Sequence, residues 1–302
     1  LPKNVEIPSK SHGGPWAIGC NGVGIWNVMV QCVRKLTNAP GASKLFFDFA
    51  DRDFSWGYTG QAVTKQWLGV IHHPYALPDH VYGAANKLFK SRPFQNAAPL
   101  CRGLFALSDY LGRSIAADPW IVTHGMPVHV MPHPTNLFSS RVLFDPGAFL
   151  ANPTKQVICL GGAFRRFATL DKIHCQYQKA WAFGMYVDYI KSLIAEFERD
   201  NYFPNGGTSI LGQLSYAAYN DMLSKNIAFL DVLDSSANNC VLDCIARNTP
   251  LIAVKHPAIV EYLGADYPLY FETLAQAETL ANSETAILEG HAYLKQYDKR
   301  RF

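Results

Sequence analysis

The sequence lacks a long apolar run, an internal repeat and a large excess of charge of either sign. No stretch approaches the about 18 consecutive apolar residues of a transmembrane helix, so we expect no segment that spans a membrane. Lys and Arg exceed Asp and Glu only enough to give a net charge of +3. That excess is too small to indicate, by itself, a protein that binds nucleic acid.

The cysteines also follow no ordered pattern. There are seven, and no two have the C-x-x-C spacing, which argues against a disulfide framework and against a structural zinc site. Cys240 and Cys244 are one helical turn apart, but no second pair of ligands accompanies them. We therefore predict no metal site and buried thiols, which are typical of a reducing compartment such as the cytoplasm.

The sequence contains enough apolar residues to form a folded core. Hydrophobic residues make up 49% of the 302 residues and charged residues only 17%, which excludes a disordered polymer. A chain of this length suggests about two domains. Aromatic residues are frequent, at 13%, and we assign most of them to core packing.

Short apolar strands alternate with longer helical stretches, a pattern typical of an α/β fold with parallel sheets. The stretch 144–154 contains Pro, Gly and Asn and is the best candidate for a linker. We therefore predict two Rossmann-like domains that face a cleft. Their predicted bounds are 1–150 and 151–285, followed by a C-terminal helix, 286–302, that returns toward the N-terminal domain. The predicted strands are 44–49, 67–71, 103–107, 128–131, 157–160, 209–211, 227–230 and 250–254, and the predicted helices include 171–183, 188–199, 216–224, 238–247 and 283–299.

Residues directly after the strands are the candidates for a functional site, because ligands of open parallel sheets bind beyond the carboxyl ends of the strands. One group is Gly161, Gly162, Arg165 and Arg166, with Lys172 six residues further on. Glycines let a backbone approach a ligand closely, and an Arg fork and a Lys charge suit a diphosphate. The alternative is an ordinary strand-to-helix turn with solvated basic side chains.

A second group lies in a small polar loop that opens a helix after a buried strand. Ser236, Asn238 and Asn239 can cap that helix, and its unpaired N–H groups can hold a phosphate. Asp243 lies one turn into the helix, where its carboxylate can accept hydrogen bonds from ribose hydroxyls. The alternative is an N-cap followed by an acidic residue that the helix dipole favours.

The third group is His72-His73-Pro74, at the end of a strand in the first half of the chain. Histidine has a pKa suited to accepting the proton of a hydroxyl group near neutral pH. Alternation along a strand places the two histidines on opposite faces, and we prefer His73 as the catalytic base. The alternative is a pair of hydrogen-bonded structural histidines. Weaker candidates are Asp48 and Asp51 as bases and Lys255 and His256 near a phosphate. His133 either lines the cleft or stabilises the crossover between the domains, and we favour the second role.

On these residues, the C-terminal half resembles the nucleotide-sugar domain of GT-B glycosyltransferases that carry Arg-x5-Lys and Glu-x7-Glu motifs. Arg166 and Lys172 fit the first motif by spacing, and the segment 241–252 is similar to the family's Val-Leu-Glu-Ala-Met-Ala-x-Gly-Thr-Pro-Val-Ile. The resemblance covers about residues 155–265 and is looser in the N-terminal half. In this chain, Asp243 stands in place of the second Glu and Ser235 in place of the first, so sugar recognition and stereochemistry do not follow from the resemblance.

The resemblance implies a metal-independent hexosyl- or pentosyltransferase without a cofactor. It would move a sugar from a nucleotide-diphosphate sugar, UDP- or GDP-linked, to a hydroxyl of a glycan or other acceptor. The loop with Gly212 and Leu214 would flank the base, Asp243 the ribose, and Arg166, Lys172 and the loop of Asn238 the diphosphate. His73 would take the acceptor proton in an inverting reaction or contact the donor sugar in a retaining one.

Two other functions stay open. One is a sugar transferase that acts on a modified base of DNA, which would bind DNA in a salt-dependent manner. The other is a non-catalytic protein that binds a nucleotide sugar, which the missing first Glu makes credible. The segment 236–239 with 246–250 is similar to glycosyltransferase-like proteins of large viruses and microbes, so the predicted location is the cytoplasm, or the host cytoplasm if the chain is viral.

Overall fold

The computed structural model describes residues 5–6, 44–133, 142–182, 192, 194–195, 207–212 and 214–301. Contacts within the chain divide these residues into two compact units. Unit 1 comprises 5–6, 44–133 and 234–237, and unit 2 comprises the others. The predicted helix 188–199 falls largely outside the described residues.

Unit 1 contains a parallel sheet of five strands whose spatial order follows the chain. Its strands are β1 (Val5–Glu6), β2 (Lys44–Phe47), β3 (Gln66–Ile71), β4 (Cys101–Ala106) and β5 (Val128–Val130). Its helices are α1 (Ala50–Asp53), α2 (Ala85–Leu88), α3 (Arg92–Ala97), α4 (Asp109–Ala116) and α5 (Pro119–Thr123).

The core of unit 1 forms around the central strands, because these are apolar on both faces. Trp67 of β3 is fully buried, and its indole Nε1 donates a hydrogen bond of 2.7 Å to the Ala97 carbonyl, which satisfies its one polar atom. A side chain also starts the helix that follows β4. Ser108 accepts a hydrogen bond from the Leu111 amide at the start of α4, which confirms the predicted cap.

Unit 2 contains a second parallel sheet, with the spatial order β11-β10-β9-β6-β7-β8. Its strands are β6 (Gln156–Leu160), β7 (Gln178–Ala182), β8 (Thr208–Leu211), β9 (Ile227–Leu230), β10 (Leu251–Val254) and β11 (Tyr270–Phe271). Its helices are α6 (Pro146–Ala151), α7 (Phe167–Lys172), α8 (Tyr216–Ser224), α9 (Asn239–Arg247), α10 (Pro257–Leu263), α11 (Leu274–Ala281) and α12 (Glu284–Gln296). The chain order reverses between β6 and β9, which makes this pair the switch point of the sheet.

One sequence prediction for unit 2 was wrong. The predicted helix 171–183 is instead the end of α7 followed by β7. Helix-forming residues in this stretch are overridden by packing, because Ala180 and Trp181 are fully buried where β7 pairs with both β6 and β8. The predicted linker 144–154 contains α6, whose Phe149 is fully buried.

The C-terminal helix α12 packs on unit 2. His291 Nδ1 lies 2.9 Å from the Asn248 carbonyl oxygen, and the hydroxyls of Tyr293 and Tyr297 donate to the carbonyls of Leu263 and Tyr262. Its predicted return toward the N-terminal domain stays a prediction.

The predicted α/β class with two Rossmann-like domains is confirmed, since each unit has its own parallel sheet with helices between the strands. Among the residues described, no helix is both long and apolar enough to cross a membrane. Five cysteines fall in the described ranges, all as free thiols: Cys101, Cys159, Cys175, Cys240 and Cys244.

Candidate functional site

Two loops of unit 2 meet at the switch point of its sheet. The β6 loop (residues 161–166) follows β6, and the β9 loop, taken as residues 231–233 and 238 of unit 2, follows β9. The Arg166 amide donates to the Asp231 carbonyl at 3.2 Å, and the Leu233 amide donates to the Phe164 carbonyl at 2.8 Å. The loops therefore join at the place where a doubly wound sheet leaves a crevice for a ligand.

The β6 loop begins with a turn that only glycine adopts without strain. Gly161 has a φ of +72°, and an added Cβ would lie 3.0 Å from both Arg165 Nη2 and Cys240 Sγ. Gly162 is buried beside it. The glycine predicted for close backbone approach is thus placed against the chain's own arginine.

Arg165 is buried and bonds the β6 loop to the start of α9. Its Nε donates to the Leu160 carbonyl at 3.0 Å, and its Nη1 donates to the Ala163 carbonyl at 2.7 Å. Its Nη2 donates to Asn238 Oδ1 at 3.4 Å. The sequence predicts a phosphate ligand here, whereas the structure gives the guanidinium an internal role that holds the two loops together.

Arg166, unlike the buried Arg165, is half-exposed, with 47% of its side chain accessible. Its Nη1 lies 3.2 Å from Asp231 Oδ1 and 2.6 Å from the Val232 carbonyl oxygen. Asp231 also accepts a 2.7 Å hydrogen bond from the Thr169 hydroxyl. Asp231 was not predicted as a site residue, although its position directly after a fully buried strand is a signal for one.

Lys172 lies exposed at the last position of α7. Together with Arg166, which precedes the same short helix, it gives this edge of unit 2 two accessible cations. An Arg fork and a Lys charge are the side chains that suit phosphate groups.

The start of α9 carries the second group of predicted residues. Asn238 Oδ1 accepts a 3.0 Å hydrogen bond from the Cys240 amide, which confirms the predicted N-cap. Asn239 is exposed. Ser236 is buried, and its hydroxyl has no hydrogen-bond partner within the described part of the chain. A buried hydroxyl without a partner is costly unless a ligand or water meets it.

Asp243 is built into the core of unit 2. Its Oδ2 accepts a 3.0 Å hydrogen bond from the Tyr219 hydroxyl, and its Oδ1 lies 2.9 Å from Arg247 Nη1. Burial raises the pKa of this carboxyl to about 6, against the opposing effect of the Arg247 charge. Each oxygen already accepts a hydrogen bond from the chain, so the ribose contact expected from the sequence stays a prediction.

Gly212 and Leu214 follow β8, where the sequence predicts the base-binding loop. Both are half-buried, and apart from its chain neighbours no described residue has an atom within 4 Å of the point where a Cβ of Gly212 would be. The Ser215 hydroxyl oxygen accepts a hydrogen bond from the Ala218 amide and starts α8. The open space beside Gly212 fits the close approach of a planar group.

In unit 1, a buried carboxylate fixes the backbone of the two predicted histidines. Asp51 accepts hydrogen bonds from the amides of His72, at 2.7 Å, and His73, at 3.4 Å. Burial raises the pKa of Asp51, and the charge of His73 opposes that rise. Both histidines follow the end of β3, so the alternation assumed for the strand does not apply to them.

The ring of His73 is held by one further contact. Its Nδ1 lies 2.8 Å from the Gly83 carbonyl oxygen, which can only accept, so Nδ1 carries the proton. In the neutral ring the lone pair is then on Nε2, the form that a general base needs. The His72 ring instead lies with Nε2 2.8 Å from the Asp48 carbonyl oxygen. A neutral His72 ring keeps its lone pair on Nδ1 in the same way, so the choice of His73 over His72 stays a prediction.

Aromatic side chains surround His73. The Trp56 ring stacks on it, with centroids 5.1 Å apart and planes at 19°. Phe49 meets the same imidazole edge-on at 5.4 Å, and Tyr82 lies 6.0 Å from Trp56. Sequence analysis missed Trp56 and Tyr82, because aromatic residues outside a strand or helix pattern carry no signal that they share a surface.

The weaker candidates are placed differently. His133 is buried, and Lys255 lies 3.5 Å from Glu272 in an exposed ion pair. In the described ranges, no three His, Cys, Asp or Glu side chains come close enough to hold a metal ion.

Comparison with known proteins identifies the fold. Sucrose-phosphate synthase from Thermosynechococcus elongatus aligns with a TM-score of 0.55 at 13% identity, over 90% of this chain and 74% of that chain. A TarM variant of S. aureus, in complex with fondaparinux, α-GlcNAc-glycerol and UDP, aligns with a TM-score of 0.57 at 12% identity, over 90% and 56%. Alr3699/HepE of Anabaena, in complex with UDP-glucose, gives 0.55 at 12% identity, over 89% and 76%.

These neighbours have the GT-B glycosyltransferase fold, and this chain has the same fold. The predicted resemblance is thereby confirmed for the fold. No protein-family model and no curated protein matches the sequence.

Proposed function

We propose that the protein is a glycosyltransferase that moves a sugar from a nucleotide-diphosphate sugar to an acceptor hydroxyl. The observation that carries this proposal is the junction of the β6 and β9 loops at the switch point of unit 2. There the exposed face of Arg166 and the start of α9 belong to loops that hydrogen-bond to one another. The GT-B fold of the neighbours and the UDP-glucose bound to one of them support the same reaction class.

The diphosphate is assigned to Arg166, Lys172 and the first turn of α9. Arginine donates a fork of hydrogen bonds to phosphate oxygens, and the amides at a helix N-terminus favour an anion. The sequence also predicts Ser236 as a ligand of the donor, and its hydroxyl is buried without a partner in the described part of the chain. These cationic and N–H groups would stabilise the charge that develops on the leaving diphosphate, so we propose a metal-independent reaction.

The nucleoside is assigned to the open space beside Gly212 and Leu214. Both UDP and GDP satisfy this assignment. We propose a UDP-sugar first, since two of the neighbours described above hold UDP or UDP-glucose.

Unit 1 is assigned to the acceptor, with His73 as its catalytic residue. The proton on Nδ1 leaves the lone pair on Nε2, which takes the proton of the acceptor hydroxyl in an inverting reaction. In a retaining reaction the same side chain contacts the donor sugar instead.

The test is a binding and hydrolysis screen with UDP-, GDP-, ADP-, CMP- and dTDP-sugars. Wild type, Arg166→Ala and Arg300→Ala are measured in parallel by thermal shift, and released sugar is quantified. Arg300 is the matched control, because it is a highly exposed, ion-paired arginine of unit 2 away from the switch point. A ligand that binds the folded state raises the melting temperature.

We expect one nucleotide to stabilise wild type and Arg300→Ala but not Arg166→Ala, with slow release of its sugar. Stabilisation without sugar release, and without transfer to any acceptor, would identify a non-catalytic binder. Stabilisation by none of the five nucleotides would overturn the donor assignment.

A further inference from the structure

Trp56 and Tyr82 are large aromatic side chains exposed on the surface of unit 1. Trp56 is 49% exposed and Tyr82 is 60% exposed, and their rings lie 6.0 Å apart. Few large aromatic side chains are left this accessible unless they meet a ligand or partner. Their position beside the catalytic histidine points to a ligand of the reaction.

The Trp56 ring is fixed before any ligand binds. It stacks on His73 on one side, and its edge-to-face contact with Phe49 has centroids 5.7 Å apart and planes at 87°. The guanidinium of Arg52 lies 5.9 Å from the centre of the Phe49 ring and limits the movement of that ring. A preorganised aromatic face costs little conformational entropy when it binds a flat partner.

The charges around this face favour a neutral ligand. The chain segment before Trp56 carries three carboxyl groups, Asp48, Asp51 and Asp53, against one guanidinium, Arg52. Arg52 lies within ion-pair distance of two of these, at 3.9 Å from Asp48 and 2.5 Å from Asp53. Asp48 and Asp51 are buried and Arg52 is paired with Asp53, so this segment offers the phosphates of a polyanion such as DNA no excess of positive charge.

We infer that Trp56 and Tyr82 form a stacking platform for a neutral sugar ring of the acceptor, which rests on the glycosyl transfer proposed above. A pyranose ring has an apolar face of C–H groups that packs on an aromatic face, and hydroxyls at its edge. His73 covers one face of the Trp56 indole, so a sugar ring would pack on the opposite face, with its hydroxyls at the edge of the indole. The acceptor is therefore a glycan that binds at Trp56 and Tyr82.

The experiment measures acceptor binding without donor. Maltopentaose, cellopentaose, chitopentaose, mannopentaose and a 20-nucleotide oligo-dT are each titrated against the whole chain and followed by saturation-transfer NMR. The variants are Trp56→Ala, Trp56→Phe, Tyr82→Ala and Val122→Ala. Val122 is the matched control, because it is another exposed apolar residue of unit 1.

We expect one pentasaccharide to bind, with affinity about tenfold weaker in Trp56→Ala, weaker also in Tyr82→Ala, and largely kept in Trp56→Phe and Val122→Ala. Binding of oligo-dT that depends on Trp56 would overturn the inference in favour of a nucleic-acid acceptor. Binding of no probe, or glycan binding that Trp56→Ala leaves unchanged, would also overturn it.

Donor binding is measured on the same samples, and this separates the two proposals. Trp56 belongs to unit 1, so Trp56→Ala should keep the wild-type thermal shift with the donor nucleotide. If the protein binds a glycan through Trp56 but binds no nucleotide sugar, the stacking platform is supported and the proposed glycosyltransferase activity is refuted.

Discussion

The guanidinium Nη1 of Arg166 lies 3.2 Å from Oδ1 of Asp231, and so the exposed cation of the β6 loop is fixed to the end of β9. The Val232 carbonyl holds the same nitrogen at 2.6 Å, and the Thr169 hydroxyl holds the second oxygen of Asp231 at 2.7 Å. This places a preorganised donor at the switch point, where a mobile arginine would have to be ordered by the ligand. Asp231 is thus a positioning residue for the proposed phosphate contact.

The first prediction tests that role with Asp231→Asn. Two effects of this change have opposite signs: losing a carboxylate favours an anionic ligand, whereas losing the anchor of Arg166 disfavours it. We expect the second to prevail and UDP to bind about tenfold more weakly, measured by calorimetry. Asp221→Asn is the control, because it removes the acid of an exposed ion pair with Lys225 in the same unit. Tighter UDP binding would show that Asp231 contributes only its charge.

The sequence was sufficient to predict the fold class and most of the strands. Apolar strands bounded by turn residues have a local signature, and all eight strands predicted appear within about two residues of their predicted ends. The strand β7 was missed because its Ala, Gln and Lys residues favour a helix, and only the neighbouring β6 and β8 make it a strand.

The partners of the site residues could not be predicted in the same way. Asp243 was expected at a ribose because of its place in a motif, but Tyr219 and Arg247 bind it. The pairing of Arg165 with Asn238 spans 73 residues of sequence. Contacts between residues so distant in the chain depend on how the strands order in space, which periodicity does not contain.

A second prediction concerns the placement of His73 by Gly83. Gly83 has a φ of +96°, and an added Cβ would lie 2.7 Å from His73 Nδ1, at the atom that binds the Gly83 carbonyl. We expect Gly83→Ala to displace the imidazole and to lower kcat for glycosyl transfer at least about tenfold. The donor dissociation constant should not change, since unit 2 holds the nucleotide in our proposal.

The control for Gly83→Ala is Gly60→Ala. Gly60 has a similar φ of +82°, but no described residue other than its chain neighbours lies within 4 Å of its added Cβ. Both variants bear the strain of a left-handed alanine, about 1–2 kcal/mol, and only one clashes with His73. Equal losses of kcat in the two variants would attribute the effect to backbone strain and not to the histidine.

A third prediction follows from the Ser236 hydroxyl, which is buried without a partner in the described chain. Removing a buried, unsatisfied polar group is neutral or stabilising, so Ser236→Ala should keep or raise the free energy of unfolding, by about 1 kcal/mol. Donor affinity should fall, because the ligand loses a hydrogen-bond donor. Urea unfolding and calorimetry with UDP measure the two effects on the same protein.

The neighbouring serine provides the comparison for this variant. The Ser235 hydroxyl is also buried but donates a 3.2 Å hydrogen bond to the Ser236 carbonyl, so Ser235→Ala should lower the free energy of unfolding by about 1 kcal/mol. If Ser236→Ala destabilises the protein as much as Ser235→Ala does, the Ser236 hydroxyl already makes a hydrogen bond within the protein and is not available to a ligand.

The last prediction uses pH to determine what Asp243 does. Burial raises its pKa in the folded protein to about 6, from an ordinary 3.8. A folded-state pKa above the unfolded one means that the folded protein binds more protons between these values. The contribution of Asp243 to stability is therefore present below about pH 4 and is lost as pH rises through about 6.

Asp243→Asn removes the pH dependence that Asp243 contributes. Relative to this variant, wild type should therefore lose free energy of unfolding as the pH rises from 4 to 7. Asp53, whose pKa burial also raises to about 6, contributes the same slope in both proteins and cancels in the difference. Urea unfolding of both proteins at four pH values measures this difference in the free energy of unfolding. A variant with unchanged stability at every pH but weaker UDP binding would instead establish Asp243 as the residue that binds the ribose.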